Sequence, residues 1–229
     1  MKTLVLIPGL NNTGAVFDGV AAAMRECADV RTPTCDALPS VEAIADALVV
    51  DLPDRFWLGG FSFGGYVALA MLERYPERIE GIALICTAPF ADAPAQKTRR
   101  QQAIERARAG GYSEMIAQQA ANAFHPDSLA DASLMAARSA MVADYGAERF
   151  IAHTEAVMAR PDRQSLLTGD IPTLVVAASH DKVFPPSSVT GFGAAIPGAT
   201  VACIEGAGHL APMERPQALA DTLRAWMNA

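Results

Sequence analysis

No stretch of this chain approaches the roughly 18 consecutive apolar residues of a membrane-spanning helix, so no membrane partner is expected. Positive charge is also scarce: 18 Lys and Arg stand against 25 Asp and Glu, a formal net charge of -7. That balance offers no basic footprint for nucleic acid or for an anionic lipid surface. There are only four cysteines, Cys27, Cys35, Cys86 and Cys203, and their spacing matches neither a metal site nor a redox pair. They read as reduced core or surface residues. Histidine and acid spacing gives no metal-ligand pattern either, and neither a metal nor a cofactor is expected. The N-terminal Met1-Lys2-Thr3-Leu4-Val5-Leu6-Ile7 runs into Pro8-Gly9 without a long apolar core or a small-residue cleavage site. A cytoplasmic location is the simplest expectation.

What the chain does have is apolar content, 51% over 229 residues, enough for one α/β domain with room for an inserted subdomain. Thr3 to Ile7 is a continuous apolar run, as expected of a parallel strand buried on both faces. A helix from about Val16 to Arg25, a weak strand over Asp29 to Thr34 and a helix from Ser40 to Val50 follow, with Ser40 as N-cap. Next come a strand at Phe56, a helix closed at Tyr75-Pro76 and a buried strand over Ile79 to Cys86. Strand and helix in alternation predict right-handed crossovers and a parallel sheet with helices on both faces. From about Ala91 to Thr168 the texture changes to Ala-, Gln-, Arg- and Met-rich helical sequence, broken at Gly110-Gly111, Pro126 and Pro161. This predicts an all-helical insertion lying over the strand ends. Its Met115, Phe124, Leu134, Met135, Met141, Phe150 and Met158 suit either cavity lining or a small core of their own. Strands resume at Pro172 to Ala178 and Ala199 to Ile204, and a closing helix runs from Pro216 to about Met227.

The chemistry centres on Gly60-Phe61-Ser62-Phe63-Gly64, set between the Phe56 strand and helical sequence. At this glycine and serine content a chance Gly-x-Ser-x-Gly has an expectation of about 0.05, before the strand-to-helix context is required. The pattern is that of a nucleophile elbow, a sharp turn that aims a serine hydroxyl away from the sheet. It also puts the amide of Phe63 at a helix N-terminus, where a developing oxyanion can be received. A second amide is expected from the loop after the first strand, Pro8-Gly9-Leu10-Asn11-Asn12-Thr13-Gly14, with Leu10 N–H as the candidate.

A serine hydroxyl needs a base to take its proton, and the base needs an orienting carboxylate. Of the four histidines only His209 lies in a Gly-flanked loop just after a core strand. His125 and His153 fall in the helical insertion and read as surface or lid residues. His180 also follows a strand, but its neighbour Asp181 suits the carboxylate role, in the chain order Ser, Asp, His. Asp162 and Asp170 are reserves that precede the strand and so fall at its wrong end.

Three segments, Gly60-Phe61-Ser62-Phe63-Gly64-Gly65, His180-Asp181-Lys182-Val183-Phe184-Pro185-Pro186 and Gly206-Ala207-Gly208-His209-Leu210-Ala211-Pro212-Met213-Glu214-Arg215-Pro216, resemble the catalytic segments of the α/β-hydrolase superfamily. The resemblance runs from Thr3 to the C-terminus, with the insertion similar only as a helical cap. It implies an α/β-hydrolase fold of about six mainly parallel strands, with residues 1–90 and 169–229 as core and 91–168 as cap. It further implies a serine hydrolase with the triad Ser62, Asp181 and His209, acting on a small ester-like molecule. Carboxylic ester hydrolysis leads, while thioesters, lactones and carbon–carbon bonds would use the same residues. A non-catalytic small-molecule-binding protein on the same fold is the alternative of another class. Many relatives carry His-Gly after the first core strand, where this chain has Pro8-Gly9, so the oxyanion loop is assigned by position. Serine at the elbow disfavours the dehalogenase and epoxide hydrolase branches, which use aspartate there.

Overall fold

The computed structural model describes residues 1–229. The strands are β1 (Lys2–Ile7), β2 (Ala28–Arg31), β3 (Phe56–Phe61), β4 (Ile79–Ile85), β5 (Thr173–Ala178) and β6 (Thr200–Ile204). They form one sheet in the order β2-β1-β3-β4-β5-β6, and every neighbouring pair is parallel. The α-helices are α1 (Asp18–Met24), α2 (Val41–Val49), α3 (Phe63–Arg74), α4 (Pro94–Arg106), α5 (Tyr112–Gln118), α6 (Ala120–Ala123), α7 (Ala132–Ala159), α8 (Pro186–Ala194), α9 (Ala211–Glu214) and α10 (Pro216–Met227). No helix is long and apolar enough to cross a membrane.

Alternate side chains of each strand enter opposite layers. Val5, Ile7 and Leu58 pack with Ile44 of α2 and Val67 and Met71 of α3, whereas Leu4, Leu6, Trp57 and Phe61 pack with Val20 of α1 and Leu219, Leu223 and Trp226 of α10. Both faces of the sheet are therefore covered, and every residue of β3 and β5 is buried. Full burial of each such Leu, Ile or Val contributes about 1.5–3 kcal/mol, which explains the continuous apolar runs. Ser40 caps α2 as expected, its Oγ accepting from Ala43 N at 3.1 Å. Two boundaries differ from the sequence expectation by more than one residue. β2 stops at Arg31 rather than Thr34, just before Pro33, which has no N–H to donate to a ladder. The first helix starts as a 3-10 turn over Gly14–Phe17 and becomes α-helical only at Asp18.

The chain enters at β1, moves outward to β2, then returns to the other side of β1 with β3. The order reverses between β1 and β3, so their C-terminal ends flank the crevice where ligands bind in open parallel sheets. Because all strands run the same way, the loops after β1, β3, β4, β5 and β6 emerge along one edge.

Between β4 and β5 the chain forms only helices, α4 to α7. The expected break at Gly110 is present, with φ of 85°, and α7 is interrupted at Gly146, with φ of 75°. The apolar residues of this segment divide between the two roles open to them. Met115 and Phe150 join Tyr112, Ile116, Val142 and Tyr145 in a small separate cluster. Phe124 and Met141 pack into the layer that holds α1 and α10. Ion pairs of buried arginines tie the ends of the segment down. Asp92 pairs with Arg100 and Arg160, and Arg163 bridges Glu42 of α2 and Glu73 of α3.

Candidate active site

The turn between β3 and α3 is so tightly packed that it requires glycine at two positions. A Cβ on Gly64 would stand 2.1 Å from Ile7 O, and one on Gly60 would stand 2.4 Å from Gly64 O. Ser62 itself adopts φ 51° and ψ -116°, a conformation that non-glycine residues rarely hold. The strain is held by Ser62 N donating to Ile85 O at 2.9 Å and by Thr87 Oγ1 donating to Ser62 O at 2.8 Å. The hydroxyl is thereby fixed at the sheet edge.

His209 follows β6 and approaches Ser62 from the other end of the crevice, with Nε2 at 3.0 Å from Ser62 Oγ. Its Nδ1 lies 2.8 Å from Asp181 Oδ2. The carboxylate, in the loop after β5, has no solvent-exposed side-chain surface, and its Oδ1 accepts from the amides of Val183 at 2.7 Å and Phe184 at 2.8 Å. With the aspartate accepting, Nδ1 carries the proton and Nε2 is left as the acceptor for Ser62. Phe61 and Phe184 flank the imidazole at ring separations of 5.1 Å and 5.8 Å. The arrangement is a hydroxyl, a base and an orienting acid in unbroken contact.

Phe63 opens α3, and as a first-turn amide it has no intrahelical acceptor. Leu10 lies in the loop after β1, and its amide likewise bonds no protein group. Both residues line the same cavity of about 940 Å³ as Ser62 and His209. Residues of α5, α6 and α7 also line it, including Ile116, Ala123 and Val142.

The sequence profile of the family described as alpha/beta hydrolase fold matches residues 2–216. The chain belongs to the α/β-hydrolase fold family. Among solved members of the fold, the structure superimposes on a malate-bound thermophilic esterase from Thermogutta terrifontis with a TM-score of 0.93 at 25% identity, covering 100% of this chain and 90% of that one. For the enol-lactonase from Burkholderia xenovorans LB400 the TM-score is 0.88 at 23% identity, with 100% and 92% covered, a likeness of fold. In sequence, 93 residues are 33% identical to a pimeloyl-[acyl-carrier protein] methyl ester esterase from Aromatoleum aromaticum. That alignment takes in 38% of this chain and covers 37% of the relative's length.

Several residues at this α/β-hydrolase site were not legible as such in the sequence. Cys86 directly follows β4 with φ 47°, fully buried, and its sulfur lies within 4.8 Å of a side-chain nitrogen of His209 and a carboxylate oxygen of Asp181. Burial and the Asp181 charge push its thiol well above the ordinary range. A protonated thiol, together with an imidazole whose two nitrogens already face Asp181 and Ser62, makes a poor metal-ligand set. Nothing about Cys86 announced this contact, because it forms across two strand ends 95 residues apart in sequence from Asp181. His153 lies in the helical segment as expected, yet it is fully buried rather than at the surface. It stacks on Phe63 at 4.7 Å. His180 is peripheral, with Nδ1 2.8 Å from Ser179 Oγ and its ring edge-on to His125. Asp162 and Asp170 serve local turns, accepting from Gln164 N and Thr168 Oγ1.

Proposed function

We propose that this chain is a serine hydrolase that cleaves an ester-like bond of a small molecule through an acyl-enzyme. The observation that carries the reading is the contact series Asp181 to His209 at 2.8 Å and His209 to Ser62 at 3.0 Å. In the first step Ser62 Oγ attacks the carbonyl carbon while His209 Nε2 takes its proton, and Asp181 stabilises the imidazolium that forms. The amides of Phe63 and Leu10 receive the oxyanion, and His209 then gives its proton to the leaving alkoxide. In the second step His209 accepts a proton from water, hydroxide adds to the acyl carbon, and the same proton returns to Ser62 as the acid leaves. Carboxylic esters are the preferred substrate class. The esterase names of the Thermogutta and Aromatoleum proteins support that choice. Residues 91–168 act as a cap that shapes the cavity, a role supported by the residues of α5 to α7 that line the same cavity as Ser62.

Intact mass spectrometry after exposure to a fluorophosphonate tests the reading, with short-chain nitrophenyl esters as substrates and Ser62→Ala beside the native protein. A single adduct that vanishes in the variant is expected, together with a fall in kcat on the order of 10⁴-fold or more. Folded native protein that forms no adduct and turns over no ester would overturn it.

A further inference from the structure

The cavity has a charge pattern at odds with the rest of the molecule. In a protein of net charge -7 with 25 acidic residues, the cavity lining includes Arg99, Arg100, Arg138 and Lys182 and no Asp or Glu at all. Arg99 and Lys182 are exposed to solvent, Lys182 donating to Ala121 O at 3.0 Å, and Arg100 pairs with Asp92, a carboxylate it shares with Arg160. Arg138 is different.

Arg138 reaches from α7 to the loop after β1, where Nη1 donates to Asn11 O and to Asn12 Oδ1, both at 2.6 Å. Both acceptors are neutral, and no carboxylate pairs with this guanidinium. Its Nε and Nη2 have no protein acceptor. Burial pushes its pKa down to about 10, the mark of a cation desolvated without an anion. The more deeply buried guanidiniums each meet a carboxylate: Arg160 meets Asp92 at 2.9 Å, and Arg163 meets Glu42 and, at 2.8 Å, Glu73. A half-buried cation left unpaired beside a cavity costs free energy that a bound anion would recover. The tether through Nη1 fixes the plane of the guanidinium, leaving a planar pair of donors suited to a carboxylate. Asn11 and Asn12 adjoin Leu10, so the same loop holds the second oxyanion amide and positions this cation.

Resting on the acyl-transfer reading above, we propose that the cavity selects esters whose acyl part ends in a second, free carboxylate, and that Arg138 receives that carboxylate. The substrate class is then the hemi-ester of a dicarboxylic acid, or the matching lactone acid.

The test measures kcat/KM by methanol release for the monomethyl esters of succinic, glutaric, adipic and suberic acids. Each is set against the methyl ester of the monocarboxylic acid of equal carbon count, in native protein, Arg138→Gln and Arg138→Lys. The best hemi-ester should exceed its neutral partner by about tenfold or more, the scale of one charge-assisted hydrogen-bond pair. The ratio should fall to near one in Arg138→Gln and to an intermediate value in Arg138→Lys. A residue that only clamps the cap to the loop would lower both substrates together and leave the ratio unmoved, which would overturn the assignment. So would a native ratio of one or below. Ser62-dependent turnover of neutral esters without anionic preference defeats the carboxylate site alone. No turnover of any ester, with no fluorophosphonate adduct, defeats the acyl-transfer reading beneath it.

Discussion

The carboxylate of Glu214 accepts a hydrogen bond from the backbone amide of Gly208 at 2.9 Å, one residue before the candidate base. Its other oxygen accepts from the amide of His125 at 2.7 Å, in the helical segment between β4 and β5. Gly208 is pressed so close to that segment that a Cβ would stand 2.6 Å from His125 N. Leu210 N also donates across the junction, to Ala123 O at 3.2 Å. The loop that aims His209 at Ser62 is therefore held by the helical segment as well as by β6.

Glu214→Ala should lower kcat more than it raises KM. Two amides lose their acceptor at a buried site, costing about 1–3 kcal/mol each, and the His209 loop loses its anchor. A fall in kcat of about tenfold or more with Ser62 still reactive towards fluorophosphonate is expected, read by steady-state kinetics and labelling rate. Unchanged kcat in folded protein would show that β6 alone sets the imidazole.

Two glycine substitutions should act with opposite sign. Gly64→Ala forces a methyl group within 2.1 Å of Ile7 O, a backbone atom at the end of a central strand. Destabilisation of about 3 kcal/mol or more follows, since no flexible side chain can give way. Gly191→Ala in α8 meets nothing within 4 Å. There the better helix former should add about 0.5–1 kcal/mol. Urea midpoints of the two variants check both signs, and a stable, active Gly64→Ala would mean that the elbow can move away from β1.

The sheet, the elbow and the three residues proposed to react were readable because each leaves a local mark. Apolar runs bounded by turns gave the strands, Gly60 and Gly64 marked the turn around Ser62, and Asp181 and His209 directly follow strand ends in parallel order. The remaining features are set by contacts across the fold. Cys86 reads as strand filler until β4 and β5 are side by side. His153 reads as a polar residue on a helix until α7 folds onto Phe63. Arg138 is one of many arginines in a helical, charge-rich segment, and only tertiary placement reveals that it lines the cavity with Asn11 O and Asn12 Oδ1, and no carboxylate, as its partners. The division of Met115, Phe124 and Met141 between two clusters was open for the same reason.

Asp92→Asn should destabilise the fold strongly, and a second substitution should restore much of the loss. The Asp92 side chain has no exposed surface and meets Arg160 Nη1 at 2.9 Å and Arg100 Nε at 2.5 Å. Arg160 is 5% exposed and lies over the Tyr66 ring at 3.7 Å from its centroid. Removing the acid alone leaves a buried cation, at a cost of about 3–5 kcal/mol, whereas replacing both partners by apolar residues is often near neutral. Thermal unfolding of Asp92→Asn and of the pair Asp92→Leu with Arg160→Met gives the comparison. A double variant no more stable than Asp92→Asn would show that the guanidinium is needed for its packing on Tyr66.

His153 should make the protein less stable below neutral pH through a mechanism that one substitution removes. Its Nε2 is 2.7 Å from Asp36 O, a pure acceptor, so Nε2 carries the proton. Nδ1 then accepts from the Tyr145 hydroxyl at 2.5 Å, and the neutral ring stacks on Phe63. Burial holds its pKa below the usual value of 6.5. The unfolded chain therefore binds a proton in a pH range where the folded one does not, and stability rises with pH across that range. The contribution is complete above about pH 6.5 and is lost as pH falls through the lowered folded value. His153→Gln keeps a donor and an acceptor without a titration in this range. Melting temperatures from pH 8 to pH 5 should fall more steeply for the native protein than for the variant, the other three histidines being common to both. Parallel curves would mean that His153 is protonated at no cost in the folded state, and that its contact with Phe63 does not depend on the neutral ring.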